Sequence, residues 1–202
     1  MKNKARIAVL VSGGGTNLQA LIDAQNSGII KSGEIVLVVS NKKSAYALER
    51  AANAGIEAAA FTRKEGGGQD GFEAKLTELL ESHDIDLIVL AGFLTILSND
   101  FVARYDHRII NIHPSLIPAF CGDGFYGIIP HQAALKRGVK VTGATVHFVN
   151  EIADGGEIIE QKVVYVEDGD TPEILQKRVM EQAEWKILPA AVEKVCSRII
   201  SE

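Results

Sequence analysis

The sequence predicts a doubly wound α/β fold with a mostly parallel central sheet, Rossmann-like in its N-terminal half, then a C-terminal β-hairpin and a closing helix. Three observations carry this. Short runs that are apolar at nearly every position recur: RIAVLVS (6–12), EIVLVVS (34–40), DLIVLAG (86–92) and RIINIH (108–113). Strands apolar on both sides belong inside a sheet covered on both faces, which is the condition of a parallel sheet. Helical stretches separate these runs, and βαβα alternation is the pattern of the doubly wound class. After about residue 130 the pattern changes to TGATVHFVN (142–150) and EIIEQKVVYV (157–166) around EIADGG (151–156). Asp-Gly between two strand-like runs signals a hairpin.

The helices follow in order. The first, over 17–25, opens after SGGG. The second, over 45–54, stops at Gly55, since glycine takes the left-handed conformation that ends helices. In the third, over 72–81, Phe72, Leu76, Leu79 and Leu80 fall at helical spacing. KEGGGQDG (64–71) before it reads as a flexible surface loop. The closing helix starts at Thr171-Pro172-Glu173. Threonine caps, proline suits the first helical position, and glutamate complements the helix dipole. Leu175, Val179, Ala183, Leu188, Val192 and Val195 form most of its buried stripe, and Pro189 is expected to kink or restart it.

Composition excludes several classes of function. The 202 residues suit one domain, with 47% apolar and 23% charged residues, the mix of an ordinary globular protein. A net charge of -5 argues against a nucleic-acid coat or a polybasic membrane surface, but leaves room for one local cationic pocket. Cys121 and Cys196 lie far apart without a CxxC, so no disulfide framework is expected and a reduced, cytoplasmic setting is. The basic N-terminus carries only a short apolar run that ends in glycines without a cleavage pattern, and no stretch approaches the roughly 18 apolar residues of a membrane span.

Chemistry can sit in three places. SGGGTNLQAL (12–21) follows a strand and opens a helix. Its glycines would let backbone N–H groups approach an anion at a helix N-terminus; equally, it could be a tight turn capped by Thr16 or Asn17. It is neither GxGxxG nor a P-loop. In NIHPSLIPAF (111–120), Asn111 and His113 are two apart on a strand and so share a face, and Pro114 ends the ladder. Ligands of open α/β sheets bind at such strand ends. The pair could stabilise an oxyanion and shuttle a proton, or simply satisfy backbone groups. Asp154 stands before glycine, where aspartate is a common turn residue, although a carboxylate near a histidine would orient it. His113, Cys121, His131 and His147 show none of the familiar metal-ligand spacings, so no metal is expected, and His147 in its alternating strand reads as structural.

Taken in order, SGGGTNLQAL, AGFLTILS (91–98), NIHPSLIPAF, TGATVHFV (142–149) and the DGG at 154–156 resemble the phosphoribosylglycinamide formyltransferase family of folate-dependent formyl transfer enzymes. The resemblance runs from about Arg6 to the closing helix. It implies a single formyltransferase domain with a phosphate-binding half (1–105) and a catalytic, folate-binding half (106–202). It implies Asn111, His113 and Asp154 as catalytic residues, and Gly15, Thr16 and Asn17 as the loop that holds the substrate phosphate. Glu184 matches an acidic residue near glycinamide ribonucleotide. Leu94, Thr95, Ile96 and Leu97 match the segment lining the pterin site, and Asn150, Glu151, Ile152, Ala153 and Asp154 the loop that closes on it. The co-substrate implied is 10-formyltetrahydrofolate, with no metal, no nucleic acid, no membrane, and a monomer or homodimer.

Three departures stand against the family pattern. Gln69 and Thr95 occupy positions where the family often has arginines, and CGDGFYGIIPH (121–131) is longer than the common form. The aromatics of that loop, Phe125 and Tyr126, could cover a site, pack a neighbouring subunit or face solvent. His131 matches a family histidine without an assigned step. Formyltetrahydrofolate hydrolase and methionyl-tRNA formyltransferase share the catalytic segment but carry further domains for which the chain is expected to have no room. A non-catalytic ligand-binding protein would not need Asn111, His113 and Asp154 together.

Overall fold

The computed structural model describes residues 3–201. One seven-stranded sheet runs through the molecule in the order β3-β2-β1-β4-β5-β6-β7. β1 (Ala5–Val11), β2 (Gly33–Ser40), β3 (Glu57–Ala60), β4 (Leu87–Leu90) and β5 (Ile109–His113) pair in parallel. β6 (Val141–Phe148) and β7 (Ile158–Tyr165) add the antiparallel edge expected of the hairpin. β5 therefore has a parallel neighbour on one side and an antiparallel one on the other.

Doubly apolar strands are buried on both faces because helices cover both. In β1, Ile7, Val9 and Val11 enter one core while Ala8 and Leu10 enter the other. The first core is closed by α1 (Thr16–Asn26), α2 (Ala47–Asn53), α5 (Ile129–Arg137), α6 (Pro172–Val179) and α7 (Trp185–Ser201). The second is closed by α3 (Gln69–Ser82) and α4 (Asn99–Arg104), through Phe72, Leu76, Leu80, Phe101 and Val102. Each fully buried aliphatic side chain contributes about 1.5–3 kcal/mol, so these two layers dominate the stability.

Several boundaries move from their sequence positions, each for a local reason. α3 starts at Gln69, inside the stretch read as a flexible loop. Residues 64–68 make a turn closed by Gly66 N–H to the Thr62 carbonyl and Gly68 N–H to the Arg63 carbonyl. That turn lies on the helix: a Cβ on Gly71 would stand 1.8 Å from the Gly66 oxygen, so only glycine fits there. β3, α4 and α5 have no counterpart in the sequence reading. β3 is an alanine-rich edge strand, α4 has six residues, and α5 begins at Ile129-Pro130 within the long 121–131 stretch.

Thr171 caps α6, its side chain accepting from the Ile174 N–H, with Pro172 at the first helical position. The six stripe residues are all buried. The expected break at Pro189 comes earlier. Pro189 lies inside α7, and the irregularity is a π-helical turn at Met180–Glu184. Proline lacks an N–H and crowds the carbonyl four residues back, here Trp185, the first residue of α7. The wide turn falls just before that point, and π turns inside α-helices are frequent at functional sites.

Candidate active site

The strand order reverses between β1 and β4, and the crevice outside the carboxyl ends of these strands is where open α/β sheets bind ligands. A cleft of about 350 Å³ opens there, lined among others by Thr16, Asn17, Leu94, Asn111, His113, Asp154 and Glu184. A second compartment of about 310 Å³ shares Phe93, Thr95, Ile96, Asn111, Ala153 and Asp154 with it and adds Leu97, Asn150, Glu151 and Ile152. Sequence-predicted residues from five separate segments therefore meet in one place. Gly15, at the N-cap of α1, lines neither compartment.

One end is the glycine loop. Gly15 takes a left-handed conformation (φ 71°) at the N-cap of α1, and a Cβ there would lie 2.6 Å from the Ala47 Cβ. Neither Thr16 nor Asn17 caps the helix; no side chain does. First-turn amides without a side-chain cap, at the positive end of the helix dipole, suit an anion. The Asn17 amide donates instead to Glu184 Oε2 at 2.7 Å. Glu184, in the π turn, is only 6% exposed, and burial pushes its pKa up to about 7 against the lowering effect of the Asn17 hydrogen bond.

The other end is a carboxylate among histidines. Asn111 and His113 project together from β5, as their spacing requires. Asp154, on the loop between β6 and β7, reaches them from a left-handed backbone (φ 54°) that aspartate rarely adopts. Such strain gathers at functional sites. Asp154 Oδ2 lies 3.3 Å from His113 Nδ1 and accepts the Gly122 N–H at 2.8 Å. Its Oδ1 lies 3.4 Å from Asn111 Nδ2 and 3.5 Å from His147 Nε2. Burial alone would raise the Asp154 pKa; the His147 contact, His113 and the Gly122 amide outweigh it, and the carboxyl is held below its ordinary value.

Tautomers follow from the acceptors. His147 Nδ1 meets the Phe148 carbonyl at 2.8 Å, so it carries the proton, and in the neutral ring Nε2 accepts from Asn111 Nδ2 at 3.2 Å. Both hydrogens of the Asn111 amide thus point to His147 and Asp154. His113 Nε2 meets the Phe120 carbonyl at 2.9 Å while its Nδ1 faces Asp154. Both partners are acceptors, so only the imidazolium satisfies both. Burial nevertheless pulls the His113 pKa below the ordinary 6.5, with Asp154 and the Phe120 carbonyl opposing it. The two acceptors and burial therefore act on the His113 proton in opposite directions, and burial prevails.

His147, read from sequence as structural, is the residue that sequence reasoning left out of the site. It pairs with Asn111 across β5 and β6, next to a register shift between Val146 and His147. Bulges beside active sites re-aim side chains. The only sequence signal was its place opposite Asn111, which requires the strand register. The long loop also enters the site: Gly122, Asp123, Phe125 and Tyr126 line the first cleft. Burial and Asp154 raise the Cys121 pKa, which disfavours its thiolate. His131 is fully buried on α5, with a pKa lowered to about 4 by burial and by His113. Among the described residues no group of three or more His, Cys, Asp or Glu is arranged to hold a metal ion, and no helix is long and apolar enough to cross a membrane.

Asn, His and Asp converge at the switch-point crevice of a doubly wound sheet, and residues 5–192 match the formyl transferase family. The chain belongs to that family, whose formyl donor is folate-derived. Within it, the chain is similar to proteins named phosphoribosylglycinamide formyltransferase. It is 43% identical to the Haemophilus influenzae protein over 93% of this chain and 85% of the relative. The crystal structure of glycinamide ribonucleotide transformylase 1 from Symbiobacterium toebii superposes with a TM-score of 0.91 at 39% identity, covering 98% of this chain and 90% of that one. The human trifunctional purine biosynthetic protein adenosine-3 is 45% identical over 97% of this chain, which spans 19% of that relative's length.

Proposed function

We propose that the protein transfers a formyl group from 10-formyltetrahydrofolate to the amine of glycinamide ribonucleotide, a step of purine biosynthesis. One observation carries the reading. Asp154 lies within contact distance of both Asn111 and His113 between two compartments, one ending at the uncapped α1 and the other lined by 95–97 and 150–154. The first suits the phosphate of an aminated ribonucleotide. Leu94, Ile96 and Ile152 are exposed at 50%, 76% and 61%, apolar surface that a flat heterocycle would cover.

In this mechanism the neutral amine attacks the formyl carbon and forms a tetrahedral intermediate. The nitrogen–carbon bond to folate then breaks, and the amine's proton ends on the departing folate nitrogen. Asp154 and His113 hold and pass that proton, directly or through water. One Asn111 N–H turns from its resting partner to the developing oxyanion. Holding both substrates together supplies much of the remaining acceleration. No metal ion and no covalent enzyme intermediate enter these steps.

Purified protein is mixed with glycinamide ribonucleotide and 10-formyltetrahydrofolate, and release of the deformylated folate is followed. Release that requires the amine substrate is expected. No release, or release at the same rate without the amine, overturns the reading.

A further inference from the structure

The strip from Gly92 to Ser98 forms the wall shared by the two compartments, and it has no regular structure. Between Gly92 and Leu97 no backbone–backbone hydrogen bond is made among the described residues. Side chains hold it from behind. The Leu94 N–H donates to Ser12 Oγ at 2.8 Å. Asn41 Nδ2 donates to Thr95 Oγ1 at 2.7 Å. Gln69 Nε2 donates to the Ile96 carbonyl at 3.0 Å. Glu73 accepts the Ser98 N–H at 2.7 Å and, through its other oxygen, the Ser98 hydroxyl. Gln69 and Glu73 also bond to each other, which makes one connected brace from α3.

The brace has a fixed orientation. Glu73 and the Ile96 carbonyl can only accept, so the amide nitrogen of Gln69 faces them. Its oxygen takes a hydrogen bond from Arg63 Nη1 at 2.7 Å. A guanidinium can only donate, so both ends of the amide are assigned without choice. Glu73 is 8% exposed, and such a carboxylate is tolerable inside because both of its oxygens have partners. Leu94 and Ile96 point the other way, into the cleft, with their apolar surface exposed.

We infer that Asn41, Gln69 and Glu73 are positioning residues that set the affinity for the formyl donor by holding this strip in place. The inference rests on the reading of 94–97 as the donor's wall. Gln69 and Thr95, where the family often carries arginines, here spend their polar groups on internal bonds. None of the three touches Asn111, His113 or Asp154, which stand on β5 and on the loop after β6. None belongs to the α1–Glu184 end of the cleft. Loosening the brace therefore weakens donor binding first, and it leaves the chemical groups and the α1–Glu184 end of the amine site where they are.

The test separates these effects. Gln69→Met keeps the length of the side chain and removes its donor, and Asn41→Ala removes the second anchor independently. Steady-state kinetics with 10-formyltetrahydrofolate and glycinamide ribonucleotide should show donor KM raised about five- to tenfold in each, the scale of one lost hydrogen bond. kcat should stay within about twofold and the amine substrate's KM should not move. Gln69→Glu should be at least as damaging as Gln69→Met, because it places a second carboxylate against Glu73. Should Gln69→Met fold poorly by circular dichroism, Asn41→Ala decides. Donor KM unchanged in the folded variants, or kcat and amine KM altered as much as donor KM, overturns the inference while the transfer reaction stands. Absence of amine-dependent transfer in the wild type overturns both.

Discussion

Replacing Glu184 with glutamine keeps the shape of the side chain and removes its charge. The Asn17 amide can still donate to the remaining oxygen across the present 2.7 Å. What changes is the cost of burying a carboxylate. Burial raises the pKa of Glu184 from 4.5 to about 7 in the folded protein. A group whose folded pKa is raised contributes stability that is fully present below its unfolded pKa and is lost as pH rises through its folded pKa. For Glu184 the loss runs from about pH 4.5 to about pH 7 and is flat above that. Each pKa unit corresponds to about 1.4 kcal/mol, so the full loss is about 3 kcal/mol. Glu184→Gln does not titrate. The stability difference between variant and wild type should therefore grow in the variant's favour by about 3 kcal/mol between pH 4 and pH 8. In a domain of this size that is about 6–12 °C in Tm. Urea unfolding at pH 4.5, 5.5, 6.5 and 8 measures it, and because it compares two proteins, other titrating groups cancel. A difference independent of pH would refute the account of a carboxylate strained by burial. The variant should also lose activity, since a residue that destabilises its fold this much is retained for its site.

Three further outcomes are expected. Asp154→Asn removes the charge between His113 and His147; turnover should fall by about a hundredfold or more with the nucleotide KM near normal, and a wild-type rate would reject the proton path. Gly15→Ala combines a positive φ with a contact of 2.6 Å to Ala47; it should raise the KM for the phosphorylated substrate and cost about 1–3 kcal/mol in thermal unfolding, whereas an effect on kcat alone would show that the loop does not hold the phosphate. Leu76→Ala, in the α3 core, should lower stability by about 2–5 kcal/mol with an unchanged m-value in urea, and a loss below 1 kcal/mol would mean that this layer is not packed as described.

What the sequence makes legible here follows the range of the signal. The runs at β1, β2, β4 and β5 are readable because burial on two faces needs no partner to be named. Asn111 and His113 share a face through strand period alone. Thr171-Pro172-Glu173 is a local capping signal and appears where it points. β3 lacks β-branched residues, and α4 is too short to show a period, so neither announces itself. The π turn left a trace: the buried stripe steps by four from Val179 to Ala183, then by five to Leu188, and the extra residue is the widened turn at Met180–Glu184. Pro189 drew attention to the right helix and the wrong residue. His147 was beyond reach because its role depends on a register across β5 and β6, and the brace of Asn41, Gln69 and Glu73 because its bonds to the strip join residues 25 or more apart in sequence.

The placement of Asp154 follows from the change of strand direction at β5. In a wholly parallel sheet, the strand after β5 would return through a helix, and no hairpin loop could reach the face that carries Asn111 and His113. Because β6 runs antiparallel, His147 comes directly opposite Asn111, and the loop after it folds back to lay one carboxylate against both strands. That carboxylate is then surrounded by one amide, two imidazoles and a backbone N–H, and among the described residues no lysine or arginine lines either compartment. A fixed cation would favour the ionised form of Asp154 at every pH. An imidazole holds it only while protonated. Burial pulls the His113 pKa down while His147 and His113 hold the Asp154 carboxyl below its ordinary value, so the charge state of each bears on the other. In the transfer proposed above, a proton leaving the attacking amine would reach the departing nitrogen through this pair without a lasting net charge in the buried site.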